Sequence, residues 1–263
     1  SAATLPGNRT YGGGAGSQTA ALSFGGANNP PGSATDGTFE YNGTGWSNGG
    51  DLPAVSDLCG GLGTQTAALK TFGRSGGSAT TEAFEYNGSA WTATGNGSDA
   101  RWGVGSAGIQ TAAIAFGGFY TPPYTWFNNT EKYNGSAWTD VGNAPEIRKM
   151  LGRAGTQTAS LFAGGNDGPN AAVAEAFTYD GSSFKNITDL PSNRGSGHVS
   201  GGSQTASVHA AGSLGPPGYT DTTVEWNGSA WGAGGTHLFS GQSQMNSNNT
   251  SGYNNSSAGG YGT

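Results

Sequence analysis

Charged side chains are scarce in this sequence of 263 residues. They make up 10% of the chain, against about 25% in a typical soluble domain. The 10 Lys and Arg residues are spread along the chain, and the formal net charge is -6. A nucleic-acid-binding surface needs clustered basic side chains that displace counterions from phosphates. We therefore expect no nucleic acid and no membrane insertion, and we expect so weakly charged a surface to favour association with other proteins.

Cysteine is almost absent, and long apolar runs and helical periodicity are missing. Cys59 is the single cysteine, which excludes an intramolecular disulfide framework. No run approaches the roughly 18 apolar residues of a transmembrane helix, and the start, SAATLPGNR, lacks the apolar stretch of a signal peptide. Segments such as TAALSF at 19–24 instead alternate between the two faces of a strand. The sequence therefore predicts an all-β protein.

Glycine is abundant, with 51 residues, and the chain repeats itself. A QTA motif recurs with its glutamines 47, 45, 47 and 47 residues apart, and a late aromatic residue follows the same period. The glutamines are Gln18, Gln65, Gln110, Gln157 and Gln204, and the aromatic residues are Trp46, Trp91, Trp138, Phe184 and Trp231. Two markers in phase predict five units of equal length.

The aromatic residue closes a hexapeptide such as YNGSAW at 86–91. Asn-Gly between two strands favours a two-residue hairpin turn with positive φ at both positions. This turn would place Phe84 opposite Trp91 and would give the hexapeptide a structural role. In the third unit Glu131 takes the place of the phenylalanine.

The units resemble the kelch repeat of β-propellers. The resemblance lies in an early arginine, a glycine pair after the second strand, a tyrosine in the third strand and a tryptophan in the fourth. The arginines are Arg9, Arg101, Arg148 and Arg194, and the second unit lacks one. The resemblance implies a single five-bladed propeller of four-stranded antiparallel blades over residues 1–239. Its blades would span 8–53, 54–98, 99–145, 146–191 and 192–239.

Function is expected in the loops after the glycine pairs, which vary between units. The third loop, FYTPPYTWFNNT, concentrates aromatic residues around two prolines. Such rings suit stacking on sugars or anchoring a protein, and they equally suit covering a neighbouring blade. The candidate ligand-binding residues are Phe119, Tyr120, Tyr124, Trp126 and Phe127, with Tyr219 in the last unit.

The sequence contains no residue pattern that matches a known catalytic or metal-binding motif. His198, His209 and His237 match no metal-ligand spacing, and Cys59 has no matched partner. No repeated carboxylate pair suggests glycosidase chemistry. We expect no catalytic residue, no cofactor and no metal, and therefore a non-enzymatic protein.

The repeat sequences resemble those of structural proteins of marine bacteriophages and of surface proteins of environmental bacteria. This resemblance implies a virion component, such as a tail, fibre or decoration protein, or alternatively a secreted or cell-surface lectin or adhesin. Partners would be other virion or surface proteins and a host glycan, in a virion or extracellular location. The Ser/Asn/Gly-rich tail at 240–263 carries no charge and suits self-association.

Overall fold

A computed structural model describes residues 3–28, 32–121, 124–168, 171–196, 199–215 and 218–236. The described residues form 28 strands and no helix. Twenty of these strands build five four-stranded antiparallel sheets, arranged as a five-blade β-propeller. The predicted fold class is therefore confirmed. The C-terminal tail predicted at 240–263 lies outside the described residues.

The strands of each repeat follow one scheme. The first repeat contains β1 (Arg9–Thr10), β2 (Gly13–Gly16), β3 (Ala21–Phe24), β4 (Ala27–Asn28), β5 (Thr38–Tyr41) and β6 (Trp46–Asn48). The second contains β7 (Gly60–Thr64), β8 (Ala67–Thr71), β9 (Arg74–Ser75), β10 (Ser78–Ala79), β11 (Ala83–Tyr86) and β12 (Trp91–Ala93). The third contains β13 (Gly105–Ile109), β14 (Ala112–Phe116), β15 (Phe119–Tyr120), β16 (Thr125–Trp126), β17 (Asn129–Tyr133) and β18 (Trp138–Asn143). The fourth contains β19 (Gly152–Thr156), β20 (Ala159–Ala163), β21 (Ala176–Tyr179) and β22 (Phe184–Ile187). The fifth contains β23 (Val199–Gly202), β24 (Ser207–Ala210), β25 (Ser213–Gly215), β26 (Gly218–Tyr219), β27 (Thr222–Trp226) and β28 (Trp231–Thr236).

The first strand of each blade lies innermost. Sheet orders are β2-β3-β5-β6, β7-β8-β11-β12, β13-β14-β17-β18, β19-β20-β21-β22 and β23-β24-β27-β28. The inner strands of consecutive blades pack on one another, β2 on β7, β7 on β13, β13 on β19 and β19 on β23. Glycine permits this close approach, because a Cβ on Gly61 would come within 2.6 Å of the backbone N and O of Gly14.

The core lies between blades. Leu69 of the second blade packs with Tyr133 and Trp138 of the third. The same apolar position is at most 2% exposed in the first four blades, at Leu22, Leu69, Ile114 and Leu161. Burying one such side chain contributes about 1.5–3 kcal/mol, so the blades are held together largely by these faces.

The repeated glutamine clamps each blade to the preceding one. Gln110 Nε2 donates hydrogen bonds to the carbonyl oxygens of Ala68 (3.0 Å) and Tyr86 (2.7 Å) of the second blade. Gln65, Gln157 and Gln204 make the equivalent pair of bonds at their own junctions. Gln18 is exposed and has no hydrogen-bond partner among the described residues. The glutamines therefore recur at the repeat period because each of the other four binds the blade before it.

The repeated arginine acts within its own blade. Arg9 Nη1 donates to Gly37 O at 3.4 Å, and its guanidinium lies 4.6 Å from the centroid of the Phe39 ring. Arg101 and Arg194 bond the equivalent carbonyls of Asn129 and Thr222. In the second repeat, which lacks the arginine, Lys70 Nζ donates to the equivalent carbonyl of Glu82 at 3.4 Å. A cation from the second strand thus replaces the missing one.

The third repeat has a glutamate where the other repeats have an apolar residue, and an ion pair accounts for this difference. Glu131 takes the place of the phenylalanine, and its Oε2 accepts a hydrogen bond from Arg101 Nη2 in an ion pair that is 0–1% exposed. Its Oε1 also accepts the backbone N–H of Ser98 at 2.7 Å. In the third repeat an ion pair with Glu131 therefore takes the place of the contact that Arg9 makes with Phe39 in the first.

The predicted hairpin register is wrong. Trp91 pairs with Tyr86, at 4.9 Å between ring centroids, while Phe84 pairs with Ala93. Only Gly88 of the turn has positive φ, at 91°. The side chain of Asn87 accepts the two backbone N–H groups that follow Gly88, at 3.0 and 2.9 Å. These bonds stabilise a longer loop in which the asparagine keeps negative φ, so the turn spans four residues.

Candidate binding surface on one end of the propeller

A layer of small sheets covers the end of the propeller where the inner strands begin. In each repeat the residue leading into the inner strand pairs with the segment that follows the glycine pair. The pairs are Thr10 with Ala27, Asp57 with Arg74, Trp102 with Phe119, Lys149 with Asn166, and Ser196 with Ser213. We call this layer the crown. It contains the variable loops in which function was predicted.

Backbone hydrogen bonds join neighbouring parts of the crown close to the propeller axis. The N–H of Leu58 donates to Tyr11 O (2.8 Å), that of Gly103 to Leu58 O (3.0 Å), and that of Met150 to Gly103 O (2.7 Å). Tyr11, Leu58 and Met150 have φ of 64°, 54° and 53°, a conformation that costs side-chain-bearing residues free energy. The crown is therefore built on a fixed backbone frame.

The hairpin of β15 and β16 carries the predicted aromatic residues. Phe119 is 4% exposed and lies against Trp102 at 4.7 Å and Trp126 at 4.3 Å between ring centroids. Tyr124 lies 5.9 Å from Phe119 and is 79% exposed. Tyr120 is half-buried, and the two prolines of the loop lie outside the described residues. The structure thus brings Phe119, Tyr124 and Trp126 together in one cluster.

Two other predicted residues lie apart from this cluster. Phe127 is half-buried, and its ring centroid lies 5.9 Å from the Arg101 guanidinium. Tyr219 lies on the hairpin of β25 and β26 in the fifth repeat and is 50% exposed. Tyr124 and Tyr219 are therefore the two strongly exposed aromatic residues among the six candidates.

Lys149 organises the aromatic cluster and was not predicted from the sequence. The residue is 1% exposed, and its Nζ lies 4.6 Å from the Phe119 ring centroid, 4.5 Å from Trp126 and 5.7 Å from Trp102. Burial lowers the pKa of this ammonium from 10.5 to about 8. An alignment of the repeats would have placed Lys149 opposite the loop, because it leads into an inner strand as Trp102 does.

Charge in the neighbouring part of the crown is paired. Arg74 Nη2 lies 2.6 Å from Asp57 Oδ2, and this hydrogen-bonded contact raises the pKa of Arg74. Asp57 itself is buried. The crown beside the aromatic hairpin therefore presents little net charge to a ligand.

The side chains with catalytic potential are either buried or lie outside the described residues. Cys59 is buried, and burial raises the pKa of its thiol. His209 is fully buried in β24, where burial and the charge of Arg194 lower its pKa to about 3. His198 and His237 lie outside the described residues. Within the described ranges, no group of three His, Cys, Asp or Glu side chains is placed to hold a metal ion, and no helix is long and apolar enough to cross a membrane.

Comparison with known proteins places the chain among propeller-like folds. No protein-family model matches it, and no curated protein sequence does. The solved structure of YjhT superposes with a TM-score of 0.73 and 14% sequence identity, over 89% of this chain and 86% of YjhT. The likeness is one of fold. At this identity it carries no information on ligand or activity.

Proposed function

We propose that this propeller is a non-enzymatic, kelch-like structural or host-attachment component of a virion, such as a tail, fibre or decoration protein. The crown would be its binding surface, contacting a host glycan or a neighbouring protein. One observation carries the proposal. Tyr124 is 79% exposed on a hairpin whose other rings are fixed around Lys149.

The physical argument concerns the preorganisation of the exposed ring. An aromatic ring held on a rigid support offers contact area at a small cost in conformational entropy. Phe119 supports Tyr124 from behind, and the backbone bonds between Leu58, Gly103 and Met150 fix the base of the hairpin. The surface therefore suits an uncharged ligand with an apolar face, and a sugar ring has such a face.

Low charge over the whole chain supports assembly with other proteins. Charged residues make up 10% of the sequence, and the sequence pI is about 4.9. Such a surface offers little like-charge repulsion to a neighbouring subunit. Other virion or surface proteins are the expected partners.

A second candidate is a secreted or cell-surface lectin or adhesin. It is favoured by the same exposed Tyr124 together with the exposed Tyr219, because both rings would serve a glycan-binding protein outside any particle. The two candidates differ in where the protein is found. Purified particles would contain many copies of a virion component and no copies of a free adhesin.

The test measures binding and particle content together. Binding of the whole chain to a glycan array and to purified particles would be compared with that of Tyr124→Ala, with Val55→Ala, another exposed apolar site, as the matched control. We expect Tyr124→Ala to lose at least about tenfold in affinity with an unchanged unfolding midpoint, as for a central exposed anchor. Equal binding by Tyr124→Ala would refute the crown as the site, and absence from purified particles would refute the virion assignment.

A further inference from the structure

One position on the inner strands carries a large charged side chain in a single blade. The second residues of β2, β7, β13, β19 and β23 occupy equivalent places in the strand register. They are Gly14, Gly61, Ser106, Arg153 and Ser200. Four of them have a side chain no larger than that of serine. The fourth blade alone therefore places a long cation on the innermost strand at this level.

The side chain of Arg153 extends from the fourth blade past the third towards the second. Its guanidinium interacts electrostatically with Cys59, which immediately precedes β7 of the second blade. The inner strand β13 packs between β7 and β19. Next to Cys59, a Cβ on Gly60 would lie 2.5 Å from the Oγ of Ser106 on β13. The guanidinium therefore lies inside the ring, on the axial side of the third blade and close to Ser106.

Arg153 differs from the other arginines of the chain in having no acceptor. The residue is 6% exposed, and burial lowers the pKa of its guanidinium from 12.5 to about 10. Within the described ranges, the guanidinium forms no hydrogen bond and no ion pair. The other five arginines each donate to at least one carbonyl or side-chain oxygen; they are Arg9, Arg74, Arg101, Arg148 and Arg194.

The acidic groups around Cys59 do not supply a counter-charge to Arg153. Burial raises the pKa of the Cys59 thiol, which keeps this side chain protonated and neutral near neutral pH. The carboxylate of Asp57 is engaged by Arg74, whose Nε and Nη2 lie 2.9 and 2.6 Å from its two oxygens. A buried charge without a partner is strongly unfavourable. An anion bound beside Arg153 would remove this penalty.

A second hydrogen-bond donor lies in the same region. Ser106 is 2% exposed, and its Oγ accepts a hydrogen bond from Thr71 Oγ1 at 3.3 Å. The hydroxyl hydrogen of Ser106 has no acceptor among the described residues. The interior of the ring thus offers a guanidinium and a hydroxyl to one acceptor group.

This donor set favours a carboxylate over a more highly charged anion. A guanidinium presents paired N–H groups in a planar fork that matches the two oxygens of a carboxylate. Its single positive charge balances a single negative one. Lys70, the other buried cation near Cys59, is directed elsewhere, because its Nζ donates to Glu82 O at 3.4 Å. Since Arg153 is almost fully buried, the ligand must also be small.

We propose that Arg153 and Ser106 form a binding site inside the propeller ring for a small monocarboxylate, of the size of formate or acetate. The N–H groups of Arg153 donate to both carboxylate oxygens, and the hydroxyl of Ser106 donates to one of them. Neither residue belongs to the crown, so the inference goes beyond the proposed function and does not depend on it.

Formate titration of the whole chain tests the inference. Formate would replace chloride at constant ionic strength and neutral pH, while the urea midpoint and the guanidinium Nε–H NMR signals of the six arginines are followed. We expect the Arg153 signal alone to shift to saturation. We also expect the midpoint to rise, because a ligand that binds only the folded chain stabilises it.

Three variants locate the binding. Arg153→Met removes an unpaired buried charge, so we expect it to fold, and it should bind formate at least about tenfold more weakly than the parent. Ser106→Ala should bind formate about two- to tenfold more weakly. Lys185→Met is the matched control, because it removes one positive charge from an exposed site, and it should bind formate as the parent does.

The alternative outcomes are distinct. An Arg153 signal and a urea midpoint that do not respond to formate would overturn the inference. An equal rise of the midpoint in Arg153→Met would place formate elsewhere and would overturn it as well. Inorganic phosphate that saturates the Arg153 signal at a lower concentration than formate would overturn the carboxylate assignment. None of these outcomes bears on Tyr124, so the proposed function is judged separately.

Discussion

The glutamine clamp predicts that chemically identical substitutions will have unequal effects. Gln110→Ala removes two hydrogen bonds, to Ala68 O at 3.0 Å and Tyr86 O at 2.7 Å. A net contribution of about 0.5–1.5 kcal/mol per bond gives an expected loss of about 1–3 kcal/mol in the free energy of unfolding. Gln18→Ala removes an exposed side chain that has no hydrogen-bond partner among the described residues, so its expected effect is below about 0.5 kcal/mol.

The assay is urea unfolding followed by tryptophan fluorescence, in which the midpoint reports stability when the slope is unchanged. Gln157→Ala serves as a replicate, because its bonds to Ala113 O and Tyr133 O measure 2.9 and 2.6 Å. If Gln18→Ala costs as much as Gln110→Ala, the two hydrogen bonds of Gln110 do not account for its contribution to stability. If none of the three variants loses stability, the clamp does not hold the junctions.

Two further predictions concern buried charges. Glu131→Ala should lower the free energy of unfolding by about 3–5 kcal/mol, because Arg101 remains buried without its partner, whereas Glu131→Leu with Arg101→Met should recover most of that loss. Urea midpoints of the three chains check this, and a double variant no better than the single one would contradict it. The pKa of Lys149 is lower in the folded state, so the unfolded chain binds more protons between its two pKa values and stability rises with pH in that window. The midpoint of the parent chain should therefore rise relative to that of Lys149→Met from about pH 8 to about pH 10, and parallel curves would contradict the assignment.

Much of the fold could be predicted because the same sequence pattern occurs in all five units. The period of Gln18 and its equivalents fixed the number of units, and alternation in the second strand indicated β-structure. The turn prediction from the local sequence was wrong where a side chain forms hydrogen bonds with backbone N–H groups. Asn87 favours a two-residue turn by its sequence, yet its side chain caps the N–H groups after Gly88 and lengthens the loop.

Features made by distant residues could not be predicted. Lys70 replaces a missing arginine because it reaches the same carbonyl from another strand, and nothing in its neighbourhood in the sequence indicates this. The aromatic residues of the third crown loop were visible, but Lys149, which fixes them, lies far along the chain. Exposure of Tyr124 also depended on the packing of Phe119 and Trp126 beneath it.

The glutamine clamp has a consequence for how such chains change in length. Gln157 donates to the carbonyls of Ala113 and Tyr133, and Gln110 donates to the same two strand positions one repeat earlier. Loss of the whole third repeat would bring Gln157 to the carbonyls of Ala68 and Tyr86, with an alanine and a tyrosine at the same places. Duplication or deletion of such a repeat in the gene would therefore leave the glutamine at the new boundary with equivalent carbonyl acceptors.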